Sequence, residues 1–149
     1  MKKDILDVKD KPSVICYIGL LQNNITRMSN YSGIIKASMC VVYTIIISIL
    51  ITIENFNKYW WIAIILTILC AIMDAYYLAL ERIYVIKYNK FIEDLNQNKV
   101  DISNIYNMKP RNTDLTCELL AMIISSIKSF SIIGFYSIFI VISIIIKFI

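Results

Sequence analysis

Residues 73–82 read MDAYYLALER, and the depth assigned to Asp74 decides how the whole chain is read. Upstream, residues 60–73 are apolar and carry no charge, opening on Trp60 and Trp61. If Trp60 marks one boundary, a hydrocarbon core about 30 Å thick takes about 20 residues and ends near Leu80. Asp74 then lies about 9 Å inside the other boundary at the rise of an α-helix. Tyr76 and Tyr77 fall at the depth of an aromatic belt, and Glu81 and Arg82 mark the exit. The stretch therefore predicts a transmembrane helix that carries a carboxylate beneath the headgroups.

Composition agrees with that reading. Of 149 residues, 58% are hydrophobic, with only 3 glycines and 2 prolines to make turns. This points to an all-α membrane protein rather than a soluble domain. The net charge of +4 is explained by its placement. Six basic residues precede the first apolar span and seven lie between the second and third, so 13 of the 15 fall on one side of the bilayer. Such a distribution indicates topology, with no call for a nucleic-acid partner. It predicts a multi-pass protein of the inner (cytoplasmic) membrane with the N-terminus in the cytoplasm and the C-terminus outside. The opening residues MKKDILDVKDKPSVIC make a poor secretory signal, and a retained N-terminus is expected.

Outward from the second helix, the chain divides into four regions. Residues 1–36 form a charged cytoplasmic tail and an amphipathic helix: Ser13 is a candidate N-cap, and Val14, Ile18, Leu21, Ile25 and Met28 recur at helical spacing. Residues 37–81 form a two-span transmembrane hairpin, with the polar turn ENFNK at 54–58. Residues 82–128 form a cytoplasmic helical region: a stalk, a loop over 101–114 that holds Pro110, and a further helix capped by Thr113 or Asp114. Residues 129–149 supply the third transmembrane helix, closed by Lys147. Lipid bilayer is thus the first partner.

Two polar constellations stand out. Asp74, Tyr77 and Glu81 are spaced i, i+3, i+7 and share one helical face, with Arg82 beside them. An unpaired charge at that depth costs on the order of 3 kcal/mol, so a partner, a water-filled cavity or a protonated state is required. The hairpin brings Arg27, Asn30, Ser32 and Lys36 to the same end. An ion-pair and hydrogen-bond cluster clamping the amphipathic helix to the hairpin is one reading; a pore-lining charge or ion site is the other. The second constellation is Cys40, Thr44, Ser48 and Thr52, at intervals of four on the first span. Small residues at this spacing suit close helix packing; a pore lining is the alternative. Ser126, Ser129, Gly134 and Ser137 make a looser face of the same kind near the third span.

Chemistry is sparse. There is no histidine, and the four cysteines show no CxxC spacing, with two inside apolar runs; neither a metal site nor a disulfide framework is indicated. No phosphate loop or nucleophile elbow occurs. The chain reads as a non-enzyme with no catalytic residues, no cofactor and no metal.

Two blocks carry a resemblance. RMSNYSGIIK at 27–36 resembles a pattern RMAxNSxxxK, matching at Arg27, Met28, Ser32 and Lys36; Tyr31 stands at the pattern's asparagine, with Asn30 beside it. MDAYYLALERIYVIKY at 73–88 resembles LDAYYLxxERxFRxxY, keeping Asp74, Ala75, Tyr76, Tyr77, Leu78, Glu81, Arg82 and Tyr88, with Val85 in place of an arginine. Both patterns belong to a family of small, largely uncharacterised bacterial integral-membrane proteins. The resemblance covers residues 27–88 and leaves the last span outside. Its architecture is similar to that of membrane effectors in anti-phage and other conflict systems. That similarity implies a homo-oligomer that perturbs or permeabilises the inner membrane on a signal from a cytosolic protein partner. The alternative is a passive anchor or scaffold that recruits a cytosolic enzyme.

Overall fold

The computed structural model describes residues 12–52, 58–97, 99 and 115–148, with the backbone alone at 115–118. The expected N-terminal tail, most of the 54–58 turn, the loop over 101–114 and the caps at Thr113 or Asp114 lie outside these residues. The described chain is helical: α1 (Pro12–Thr52), α2 (Trp60–Asn96), α3 (Leu115–Ile127) and α4 (Phe130–Phe148). Three of these, α1, α2 and α4, are long and apolar enough to cross a membrane, and the molecule is an all-α membrane protein. Isoleucine is only a middling helix former in water. In hydrocarbon, however, every backbone N–H and C=O must find a partner within the chain, and a helix satisfies them all locally.

No break separates the amphipathic segment from the first span, because α1 runs through residue 36 as one helix of 41 residues. Pro12 opens it, at the first helical position where a missing N–H costs nothing. Ser13 therefore lies inside the first turn and is not the cap. The buried side of α1 follows a repeat of eleven residues: Tyr17, Met28, Met39 and Leu50 in one row, Leu21, Ser32 and Tyr43 in the next. Eleven residues in three turns come close to the natural period of the helix. One face of α1 therefore stays against its neighbour along its whole length.

That neighbour is α2. It is the common partner, since α1, α3 and α4 each pack along it while α3 and α4 meet each other little. The buried positions of α2 within the apolar region are small: Ala63, Thr67, Ala75 and Ala79 are fully covered. Small side chains let neighbouring backbones approach closely where no hydrophobic effect drives association. Thr67 turns its hydroxyl back to the Ala63 carbonyl at 2.8 Å and leaves no polar atom for lipid.

Beyond Leu80, α2 continues about 24 Å further to Asn96 and pairs with the first part of α1. Val14, Tyr17, Leu21 and Leu95 form a core there, flanked by Tyr84, Tyr88 and Phe91, and the Tyr17 and Phe91 rings meet edge-on at 4.7 Å. This is the expected stalk. At the opposite end of the bundle, the Lys147 ammonium sits 5.0 Å over the Trp60 ring. The end of α4 and the start of α2 are thus tied together, and the two helices run antiparallel. The α3–α4 break falls at Lys128 and Ser129, where the Ser129 N–H donates to the Ser126 carbonyl at 2.9 Å. The Ser129 carbonyl then accepts from Ile132 and Ile133, each at 3.0 Å, and starts α4.

Candidate functional site

Asp74 is completely buried, and three helices converge on it. From α1, Ser32 donates its hydroxyl to Asp74 Oδ1. One turn later, Lys36 Nζ lies 2.9 Å from Oδ2 and donates to Ser32 Oγ at 3.0 Å. Spacing of i and i+4 on α1 puts both groups on the face that α2 meets. Oδ2 takes no aligned hydrogen bond among the described residues, so its 2.9 Å contact with Lys36 is held by charge. From α4, Tyr136 Oη donates to the Cys70 carbonyl of α2 at 3.3 Å and stands near enough to the Asp74 carboxylate to feel its charge. Cys70 and Asp74 are one turn apart on α2, so Tyr136 spans them.

A second polar link lies deeper. Tyr43 Oη donates to the Phe139 carbonyl at 3.0 Å and shares a 2.8 Å hydrogen bond with Ser143 Oγ. Here α1 reaches α4 through one long side chain, and the Tyr43 and Phe139 rings meet edge-on at 4.9 Å. Met39, Tyr43, Ala63, Ala75, Ile132 and Tyr136 form the apolar core around both links.

The structure brings together Ser32, Lys36 and Asp74 of the polar set expected from sequence, and it does not bring in the rest. Arg27 and Asn30 are exposed, and Glu81 and Arg82 are half-buried; none of the four makes an ion pair with a described residue. For Arg27 the reason is register: it lies nine positions before Lys36 on α1, about 13 Å along the helix axis. Tyr77 packs its ring on Tyr31 at 5.2 Å rather than joining the carboxylate. An ion pair of this kind adds little net stability, because desolvating both charges offsets their attraction, but leaving one partner alone is costly.

Cys40, Thr44, Ser48 and Thr52 are all exposed and lie outside the buried rows through which α1 packs on the other described helices. Met39, Tyr43 and Leu50 supply those rows instead. The hydroxyls on the exposed stripe bond to their own helix: Thr44 to the Cys40 carbonyl at 2.8 Å, Ser48 to that of Thr44 at 2.8 Å, and Thr52 to that of Ile49 at 2.6 Å. Gly33 lies about two turns before this stripe, and a Cβ there would meet open space. The looser face of Ser126, Ser129, Gly134 and Ser137 is not a single face, for Ser126 is buried while Ser137 is exposed.

Sequence reasoning missed Tyr43, Tyr136 and Ser143. A signal existed: Tyr136 and Ser143 are seven apart, hence on one face of a largely apolar helix. Comparison with known protein families, with characterised proteins and with solved structures returns no match.

Proposed function

We propose that the chain is a multi-pass protein of the bacterial inner membrane, N-terminus in the cytoplasm, that associates with copies of itself and permeabilises the bilayer. On this reading the cytoplasmic stalk receives the signal from a protein partner, as in the effectors of anti-phage systems, to which the likeness is one of architecture alone. The observation that supports it most is the exposure of the spans. Only 17% of the apolar window of α1, and the same share of α4, is buried within the chain. Both helices flank α2 and turn outward. On α1 the outward surface includes the stripe of Cys40, Thr44, Ser48 and Thr52, with Gly33 in open space. A glycine inside a helix costs about 1 kcal/mol relative to alanine. No neighbour among the described residues explains it, whereas close approach of a second helix does.

A second reading, a scaffold that recruits a cytosolic enzyme, draws on the stalk. Its two helices form a packed arm on which Ile15 and Ile86 remain exposed at 59% and 52%, suited to an apolar contact with a soluble partner. Dye release from liposomes carrying the purified protein separates the two. The effector reading predicts release that rises with protein density and is lost in Gly33→Leu; a scaffold leaves the dye enclosed at every density.

A further inference from the structure

At the Trp60 end of the bundle an open groove of about 370 Å³ lies between α1 and α2, lined by Ile46, Ile49 and Leu50 of α1, by Tyr59 just before α2, and by Ile62 within it. Helical spacing explains the lining. Ile46, Ile49 and Leu50 stand at i, i+3 and i+4, and Tyr59 and Ile62 at i and i+3, so each helix presents one face. Leu50 is buried at 5% exposure, while Ile49 and Tyr59 remain open at 54% and 42%. Apart from the Tyr59 hydroxyl, every lining side chain is hydrocarbon. Ile62 lies two residues inside the boundary at Trp60, about 3 Å, and Ile46 lies four residues from Leu50 along α1, about 6 Å deeper. The groove thus opens at headgroup level and runs into the hydrocarbon.

The polar groups at its mouth are positive. Lys58 is exposed and directly precedes the lining Tyr59, with about 3.8 Å between their Cα atoms, which keeps its ammonium within reach of the opening. Tyr59 is the N-cap of α2 and makes no side-chain bond to it. The first N–H groups of α2 therefore point toward the headgroups, at the positive end of the helix dipole. Among the described residues the other charge at this end is Lys147, 5.0 Å over the Trp60 ring, and no described carboxylate lies here. Size narrows the occupant. One turn of a second helix, about 10 Å across and about 5.4 Å long, needs about 420 Å³, more than the groove offers. A hydrocarbon chain is narrower and surrounds the spans already, and an apolar groove of this size with a few polar groups at one end suits a small amphiphile.

We propose that this groove binds one phospholipid of the leaflet at the Trp60 end: the upper part of an acyl chain lies between Ile46, Ile49, Leu50 and Ile62, and Lys58 and the start of α2 hold the phosphodiester. A lysine supplies a point charge to phosphate, and the N–H groups opening a helix donate to its oxygens. The chain is held by packing against the isoleucines, because hydrocarbon leaving lipid for the groove gains no hydrophobic free energy. The headgroup contacts therefore decide which lipid stays.

The test uses the full chain purified in a neutral detergent and does not depend on whether the protein permeabilises membranes. Its 2 tryptophans, Trp60 and Trp61, both stand beside the groove, so quenching by phosphatidylglycerol brominated on its acyl chains reports occupancy, and native mass spectrometry counts the lipid retained. Saturable quenching with one lipid retained per chain is expected. Diacylglycerol with the same brominated chains is expected to quench without saturation, and inorganic phosphate to leave the lipid in place. Lys58→Gln should weaken the saturable binding roughly five-fold, and Ile46→Phe combined with Ile49→Phe, which adds bulk to the groove wall and spares the buried Leu50, should remove it. Arg27→Gln, at the opposite end, is the control and should change it less than two-fold. Lys58 is exposed, so its variant is read on a folded protein even if the double variant loses helicity. Unsaturable quenching by phosphatidylglycerol, equal binding of diacylglycerol, or unchanged binding in Lys58→Gln would each overturn the site. So would a lipid-free dimer that the double phenylalanine variant dissociates, which would put a second copy of the chain in the groove.

Discussion

Lys36 and Asp74 form an ion pair at 2.9 Å in which burial is unequal: the lysine side chain is 24% exposed and the aspartate not at all. The inequality decides what each substitution does. Lys36→Met leaves a sealed carboxylate without a counter-charge and is expected to destabilise the fold by about 3–5 kcal/mol. Asp74→Asn leaves a lysine that can extend toward the headgroups, and the replacement amide still accepts from Ser32, so a loss of about 1–2 kcal/mol is expected. Unfolding in mixed micelles titrated with a denaturing detergent measures both; an equal cost would mean that burial does not govern the pair.

Tyr43→Phe removes two hydrogen bonds between α1 and α4. Interhelical hydrogen bonds in membranes are worth about 0.6 kcal/mol on average, so the expected loss is about 1 kcal/mol. When Tyr43 loses its hydroxyl, Ser143 can turn its single proton to the Phe139 carbonyl, 2.8 Å away. Adding Ser143→Ala to Tyr43→Phe should therefore cost almost nothing further in the same unfolding assay.

The cysteines report topology. Cys16 is exposed on the stalk, while Lys58 and Lys147 lie toward the Trp60 end. With the N-terminus in the cytoplasm, a membrane-impermeant maleimide should label Cys16 only in inverted vesicles. Lys58→Cys, in a background with the native cysteines replaced, should label in intact spheroplasts. Labelling of Cys16 from outside would reverse the orientation.

Burial in the stalk raises the Tyr17 hydroxyl above its ordinary value of 10.0. The unfolded chain then ionises first, so stability is present in full below about pH 10 and falls as pH rises through the folded value. Tyr17→Phe should leave stability at neutral pH unchanged within about 0.5 kcal/mol and reduce the alkaline loss. Helicity against pH for the two proteins checks this, and an identical alkaline loss in both would contradict it.

How much of this was legible in the sequence differs by feature. The spans were, because length and the absence of charge are one-dimensional properties that the bilayer reads directly. The meeting of Asp74 with Ser32 and Lys36 followed from a hairpin bringing two helix ends together. The continuity of α1 was harder to see, since Arg27 and Lys36 look like stop signals until Lys36 is given a buried acceptor. Arg27 shares the membrane edge with this end of the hairpin, but nine residues of α1 separate it from Lys36, so closeness to the edge is not closeness to Asp74. The stripe from Cys40 to Thr52 had the spacing of a packing face, but spacing alone does not say which side of a helix faces its neighbour. The roles of Tyr43, Tyr136 and Ser143 depend on where α4 lies, and no local pattern encodes that.

The central claim is that a carboxylate sealed inside the bundle is held by the lysine of the preceding helix. A double-mutant cycle with Lys36→Met, Asp74→Leu and the two combined measures it, with unfolding free energy as the readout. The combined variant is expected to be more stable than the sum of the single losses allows, by a coupling of about 1–3 kcal/mol, since two apolar residues then face each other. Losses that add to within about 0.5 kcal/mol would show that the two side chains act independently and would contradict the account.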